Sequence, residues 1–333
     1  MSEFLKNIVK RALNDKKTIV LPEGSDERIL KAAVKAKEMN IADIILLGDP
    51  EELKNKGIDI SGIKIINPKN SEYNDRFADS FYELRKHKNV TKESAAETVK
   101  QELYFGVMMV KEGLADGMVA GAANSTSDVL RPSLQILKTA PNTKLVSAFF
   151  VMVVPDSEYG ENGVFIYADS GLNDNPNADE LSEIAIASAK SFKNLVGAEP
   201  KVGMLSYSSH GSARSELTEK VVEATRIAKE KRPDIKLDGE LQVDAAIVPE
   251  IAASKAPDSP IEGAANVLIF PDLNSGNIAY KLTERLAKAD AYGPLTQGIA
   301  KPVNDLSRGC SVDDIIGVIA ITCVQAQNDQ KTK

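Results

Sequence analysis

Histidine and cysteine are almost missing from these 333 residues: each occurs twice, as His87 and His210 and as Cys310 and Cys323. So few imidazoles leave little for a zinc site or a His-based triad, and the cysteines cannot make a CxxC pair. Two isolated thiols fit a reducing cytoplasm. Long hydrophobic runs are missing too. No stretch approaches the roughly 20 apolar residues of a spanning helix. The longest candidate, Leu145 to Pro155, has the length of a buried strand. The amino-terminal Met-Ser-Glu-Phe-Leu-Lys lacks an h-region and a cleavage site, so export is not expected. Positive charge is not in excess either. A net charge of −7 argues against a general nucleic-acid surface but permits a local basic pocket. Repeats, low-complexity tracts and Gly/Ser linkers do not occur.

What remains is an ordinary globular composition, 43% hydrophobic and 27% charged, on a chain long enough for two packed domains. Apolar runs and helical spacing alternate almost throughout. Strands are read at Thr18–Pro22, Ala42–Leu47, Ile63–Ile66 and Gly117–Gly121, with helices over 29–39, 72–87, 92–112 and 128–137. Further strands are expected near 144–154, 164–168, 202–206, 245–247 and 265–270, with helices over 178–195, 215–231 and 276–289. Such alternation predicts an α/β fold of mostly parallel sheets covered by helices on both faces. The best break lies near residue 143, after Thr139-Ala-Pro-Asn-Thr143, where a fresh series of strands begins.

One segment gathers more chemistry than the rest: Pro302-Val-Asn-Asp-Leu-Ser307-Arg308-Gly309-Cys310-Ser311-Val-Asp313-Asp314, running into an apolar helix. Arg308 can hold an anion, the helix start adds positive potential, and an Asp can take a proton. The same letters also fit a capping box, with Ser311 at the N-cap and Asp314 at N3. Cys310 has no histidine nearby in sequence to activate it, and Cys323 falls on the apolar stripe of Ile315, Ile316 and Ile319. A second segment, Gly121-Ala-Ala-Asn124-Ser125-Thr126-Ser127-Asp128, follows a strand and opens a helix. Its small residues, N–H groups and hydroxyls suit phosphate oxygens, with Arg131 one turn on; an N-cap without a ligand reads equally from Ser125. A third, Ser206 to Arg214, turns from strand to helix through four serines, His210 and a glycine, at a sheet edge where ligands usually sit. Arg85-Lys86-His87-Lys88 ends an amphipathic helix, where cations also complement the dipole. No residue cluster calls for a metal.

With these residues the chain resembles the phosphate acetyltransferase (phosphotransacetylase) family over essentially its whole length. The similar segments are Arg85-Lys-His-Lys, Val119 through Arg131-Pro, Asp238-Gly-Glu-Leu-Gln-Val-Asp-Ala-Ala, Ser254 to Pro260, Asn266 to Leu273, and Tyr292-Gly-Pro-Leu through Asn304 to Cys310. The length is similar to the short form that lacks an added amino-terminal regulatory region. The resemblance implies two three-layer α/β domains with a cleft between them, an architecture like the isocitrate and isopropylmalate dehydrogenases. It puts 1–143 with a returning 296–333 in one domain and 144–295 in the other. It implies a homodimer with coenzyme A as a substrate and no permanently bound cofactor, while the charge, hydropathy and cysteines above lead us to expect a cytoplasmic protein with no nucleic-acid or membrane partner. The implied reaction is reversible acetyl transfer between coenzyme A and inorganic phosphate, the thiol attacking acetyl phosphate directly in a ternary complex. Asp314 would be the base, Arg308 would stabilise negative charge, and Ser307 would bond the oxyanion or phosphate. Arg85 and Arg131 would bind anionic substrate groups, with Ser125, Thr126 and Ser127 at phosphate. Two departures stand out: His210 where relatives often carry lysine, and Ser170 where some carry cysteine. Alternatives are a phosphate acyltransferase for a longer acyl group such as butyryl, a dehydrogenase of the isocitrate type, and a non-catalytic acyltransferase-like domain.

Overall fold

The computed structural model describes residues 2–141 and 143–331. Two compact units make up the chain: Glu3–Pro141 with Ile299–Lys333, and Asn142–Gly298. The elements of the first unit run α1 (Glu3–Asn14), β1 (Lys17–Leu21), α2 (Glu27–Glu38), β2 (Ala42–Leu47), α3 (Pro50–Lys54), β3 (Lys64–Ile66), α4 (Asn74–Arg85), α5 (Lys92–Thr98), α6 (Glu102–Lys111), β4 (Gly117–Ala120) and α7 (Thr126–Ile136). The second unit follows with β5 (Ser147–Val153), β6 (Val164–Ala168), α8 (Ala178–Val196), β7 (Lys201–Leu205), α9 (Glu216–Lys231), β8 (Lys236–Leu241), α10 (Val243–Ile247), α11 (Pro249–Lys255), β9 (Val267–Ile269), α12 (Leu273–Leu286) and β10 (Asp290–Gln297). The chain then completes the first unit with β11 (Val303–Asp305) and α13 (Val312–Lys331).

In the first unit the strands lie in the order β11-β4-β1-β2-β3, all parallel. Apolar runs such as Thr-Ile-Val-Leu in β1 are buried on both faces, as parallel strands require. Val20, Ile45 and Met118 face a core built with Phe77, Phe81, Phe105 and Met108 of the α4–α6 layer. The opposite face is covered by α1, α2 and α13. Ile315, Ile319, Ile321 and Cys323 of α13 are fully buried there, each aliphatic contributing about 1.5–3 kcal/mol by leaving water. Among the described residues no helix is long and apolar enough to cross a membrane.

The expected long helix over 92–112 is two helices, α5 and α6, broken at 99–101. Thr91 and Ser94 close a capping box on α5, and Gln101 starts a fresh N-terminus. The expectation of mostly parallel sheets holds in the second unit too, where β6–β9, β9–β7 and β7–β8 are parallel, with an antiparallel edge added. The strand order is β10-β5-β6-β9-β7-β8, and β10–β5 and β5–β6 are antiparallel. The β5–β6 connection is too short for a crossover and returns as a hairpin, which only an antiparallel pair permits. The strand expected at 245–247 is helix α10, and the strand itself lies earlier, at β8. Asp238 and Glu240 of β8 are almost fully buried, so its pattern Lys-Leu-Asp-Gly-Glu-Leu does not look like a buried strand. Lys229 and His210 hold Asp238, while the Ser208 hydroxyl and the Gly211 N–H hold Glu240.

Candidate active site

The sheet of the first unit has a topological switch point. From β1 the chain steps outward to β2 and β3, then returns to β4 on the other side of β1. Connections therefore diverge from the β1–β4 pair and open a crevice at its carboxyl edge, where α/β sheets bind ligands. Three loops leave that edge: 22–26 after β1, 121–125 after β4 and 306–311 after β11.

Glu23, only 2% exposed, organises the second loop. Its Oε2 accepts the N–H groups of Gly121 and Ala122, both at 2.8 Å. Its Oε1 accepts those of Ala123 at 3.1 Å and Asn124 at 2.9 Å, together with Asn124 Nδ2 at 2.7 Å. The backbone donors of 121–124, which the sequence suggested for phosphate, are therefore already engaged. Arg28 ties the loops together. Nη2 donates to Asp26 Oδ2 at 2.8 Å and to the Ala122 carbonyl at 2.7 Å. Nη1 donates to the Arg308 carbonyl at 2.7 Å and the Cys310 carbonyl at 3.2 Å. The hydrogen bond to Asp26 raises the Arg28 pKa and holds the Asp26 carboxyl below its ordinary value. Neither Glu23 nor Arg28 was singled out from sequence. Their signal was the polar loop Glu23-Gly-Ser-Asp-Glu-Arg28 directly after a buried strand.

The third loop carries Ser307 and Arg308. The Arg308 guanidinium is exposed and has no carboxylate partner among the described residues. Ser307 Oγ accepts the Gly309 N–H at 3.3 Å, and its own proton remains available. The capping box is real: Asp314 Oδ2 accepts the N–H and hydroxyl of Ser311, each at 2.8 Å, while Ser311 Oγ accepts the Asp314 N–H at 3.2 Å. Oδ1 of Asp314 has no partner among the described residues. Asp313 points elsewhere and pairs with Lys35 at 3.2 Å. Burial pushes the Cys310 thiol up to about 11 despite the nearby Arg28, leaving it protonated at neutral pH and ill-suited as a nucleophile.

At the start of α7 the hydroxyls are in use. Ser125 Oγ donates to Asp128 Oδ2 at 2.6 Å, caps the Asp128 N–H at 3.3 Å, and lies 2.9 Å from Ser127 Oγ. Thr126 Oγ1 lies 2.5 Å from Oδ2 of Asp305, the last residue of β11. The N–H groups of Thr126 and Ser127 open the helix and have no intrahelical acceptor. Arg131 is exposed and lines a cavity of about 290 Å³ with Tyr104, Asn124 and Asp128. Half-buried Arg85 ends α4, and its Nε is buried without a hydrogen-bond partner among the described residues. Burial raises the Tyr104 phenol, and the charges of Arg131 and Arg85 oppose that rise. Among the described residues no group of three or more His, Cys, Asp and Glu side chains could hold a metal.

The serine-rich loop 206–214 belongs to the second unit and is bound internally. Ser208 Oγ donates to Glu240 at 2.8 Å and accepts the Ala213 N–H at 3.0 Å, and Ser212 Oγ accepts the Ser209 N–H at 3.1 Å. His210 Nε2 lies 3.0 Å from Asp238 Oδ2.

Residues 3–323 match the family described as phosphate acetyl/butaryl transferase. A phosphate acetyltransferase of Acetivibrio thermocellus is 64% identical over 326 residues, covering 97% of this chain and 98% of the relative. One from Thermoanaerobacterium thermosaccharolyticum is 58% identical over 326 residues, covering 97% and 99%. The crystal structure of a phosphotransacetylase from Streptococcus pyogenes is similar with a TM-score of 0.91 and 45% identity, covering 98% of this chain and 100% of that one.

Proposed function

The chain belongs to the phosphate acetyl/butaryl transferase family, and on that premise we propose how its residues divide the work of acetyl transfer. The reaction is reversible, with acetyl-CoA and phosphate on one side and acetyl phosphate and coenzyme A on the other. Both substrates occupy the enzyme together. The coenzyme A thiol loses its proton to Oδ1 of Asp314, and the sulfur bonds to the acetyl carbonyl carbon. The carbonyl electron pair moves to oxygen, where Ser307 donates a hydrogen bond and Arg308 supplies positive charge. Collapse restores the carbonyl, breaks the bond to phosphate and leaves acetyl-CoA. No acyl-enzyme forms, in keeping with a protonated Cys310.

The proton step is the demanding one. A free thiol near pKa 8.5 and an Asp near 3.9 differ by roughly 6 kcal/mol in the wrong direction. Arg308 stabilises the thiolate and closes part of that gap, while the capping bonds hold Asp314 in place. Arg85 and Arg131 take anionic substrate groups. At phosphate, Ser125, Thr126 and Ser127 act mainly through the free N–H groups of Thr126 and Ser127, since Ser125 already donates to Asp128. Coenzyme A enters as a substrate, and no permanently bound cofactor is required. The enzyme works in the cytoplasm, a reading supported by two buried, unpaired cysteines. It works as a homodimer. The exposed stripe Ile278, Leu282 and Leu286 on α12 supports that reading by offering an apolar face.

The observation that carries the mechanism is that one loop holds both Arg308, which has no carboxylate partner among the described residues, and a carboxylate fixed by its capping bonds, Asp314. Thioester absorbance from coenzyme A with acetyl or butyryl phosphate tests it. Arg308→Ala is expected to lower kcat by about 100-fold or more, and Arg308→Lys, which keeps charge but loses the planar fork, by at least about tenfold. Near-wild-type turnover in both variants would sink the role, and preference for butyryl would change the substrate alone.

A further inference from the structure

Two buried carboxylates meet the 121–126 loop, and their surroundings differ. Glu23 receives five N–H donors. Asp305 is 1% exposed, and among the described residues its Oδ1 is buried with no hydrogen-bond partner while its Oδ2 meets the Thr126 hydroxyl. An ionised carboxylate can accept about four hydrogen bonds, so an orphaned oxygen is costly for the charged form and mild for the neutral acid. Burial accordingly pushes the Asp305 carboxyl up to about 7, helped by the negative charge of Glu23 and opposed by the Thr126 hydroxyl and the Leu306 N–H. Arg28 on these loops is bound to Asp26 and to the carbonyls of Ala122, Arg308 and Cys310, and among the described residues no cation is paired with Asp305.

A hydroxyl has one proton to give. When Asp305 is ionised, Thr126 must donate to it and presents only lone pairs outward. When Asp305 is protonated, its O–H donates to Thr126 Oγ1 and releases the Thr126 proton. We propose that Asp305 is a positioning residue whose carboxylic acid proton turns the Thr126 hydroxyl outward as a donor to substrate phosphate. The pair thereby adds a third donor to the N–H groups of Thr126 and Ser127. Ionisation of Asp305 reverses the hydroxyl and places a lone pair against the anion. This step rests on the reading of the α7 start as the phosphate site.

Two measurements on the full-length enzyme test the proposal. Infrared difference spectra of wild type and Asp305→Asn, from pH 5 to 9, should contain a protonated carboxyl band that fades near pH 7 and is missing from the variant. A wild-type enzyme without that band at pH 5 to 6 would overturn the proposal. Calorimetric Kd values for inorganic phosphate supply the second readout. Phosphate's own titration cancels in the ratio of wild type to variant. That ratio should be flat below pH 7 and rise by up to tenfold per pH unit above it. Bound phosphate with a pH-independent ratio would overturn the Asp305 step alone, whereas no phosphate binding in either protein would overturn the phosphate reading with it. If Asp305→Asn fails to fold, Thr126→Val replaces it. That variant should keep the band, and the wild-type to Thr126→Val Kd ratio should again be flat below pH 7 and rise above it; a ratio that does not change with pH would sink the relay.

Discussion

At Asp305 the proton also has a stability consequence whose sign can be worked out. The folded carboxyl titrates near 7 and an unfolded Asp near 3.9. Below about pH 4 both states hold the proton and the residue contributes nothing. Between about 4 and 7 the folded state keeps a proton the unfolded state has lost, so the difference in stability falls as pH rises. Above 7 the whole penalty is present, roughly 4 kcal/mol for a gap of three pH units. Asp305→Asn removes the titration. Its denaturation midpoint is therefore expected to gain on wild type between pH 4 and 8, and a difference that does not change with pH would contradict this account. The contrast among acids explains what the sequence could convey. Asp314 was legible because a Ser-x-x-Asp spacing has a local meaning. Glu23 and Asp305 were not, because they stand about 280 residues apart in the chain and only the strand order brings them to one loop.

Among elements, the turn from β4 into α7 carries the tightest constraint. Gly121 has φ of 113°, and a Cβ there would stand 2.1 Å from Asp305 Oδ1 and 2.6 Å from the Leu306 nitrogen. No side chain fits, and the backbone conformation itself disfavours one. Gly121→Ala is expected to destabilise the protein by about 3 kcal/mol or more, read as a lowered urea midpoint, and to reduce turnover by displacing Thr126 from Asp305. An unchanged midpoint would mean the loops are looser than drawn. Strands with uninterrupted apolar runs, β1, β2 and β5, were readable from composition because both their faces are buried. β8 and β10 were not. One buries two acids, and the other is an edge strand that accommodates Gly293-Pro294 within a register shift. Chemistry at sheet edges was readable where hydroxyls and glycines clustered. The serine loop 206–214 had the same composition, yet its hydroxyls answer to Glu240 and to one another.

For the molecule as a whole, the first unit is assembled from both ends of the chain around an insertion, 142–298, that carries its own sheet. β11 supplies an outer strand and α13 covers β1 and β4, so neither is dispensable. Ending the chain after Gly298 is expected to abolish turnover and to remove the first unit's share of the cooperative melt, leaving a transition of reduced enthalpy from the second. Two full transitions in the truncated protein would refute that dependence. The same arrangement sets an order in time. During synthesis the second unit has all its strands while the first still waits for its outer strand and covering helix. Ser307, Arg308 and Asp314 emerge with β11 and α13, so a chain that lacks those elements contains a closed second unit and an incomplete first one. Arg28, made early, has no carbonyls of Arg308 and Cys310 to grip until then. The first unit thus closes only once α13 has been made.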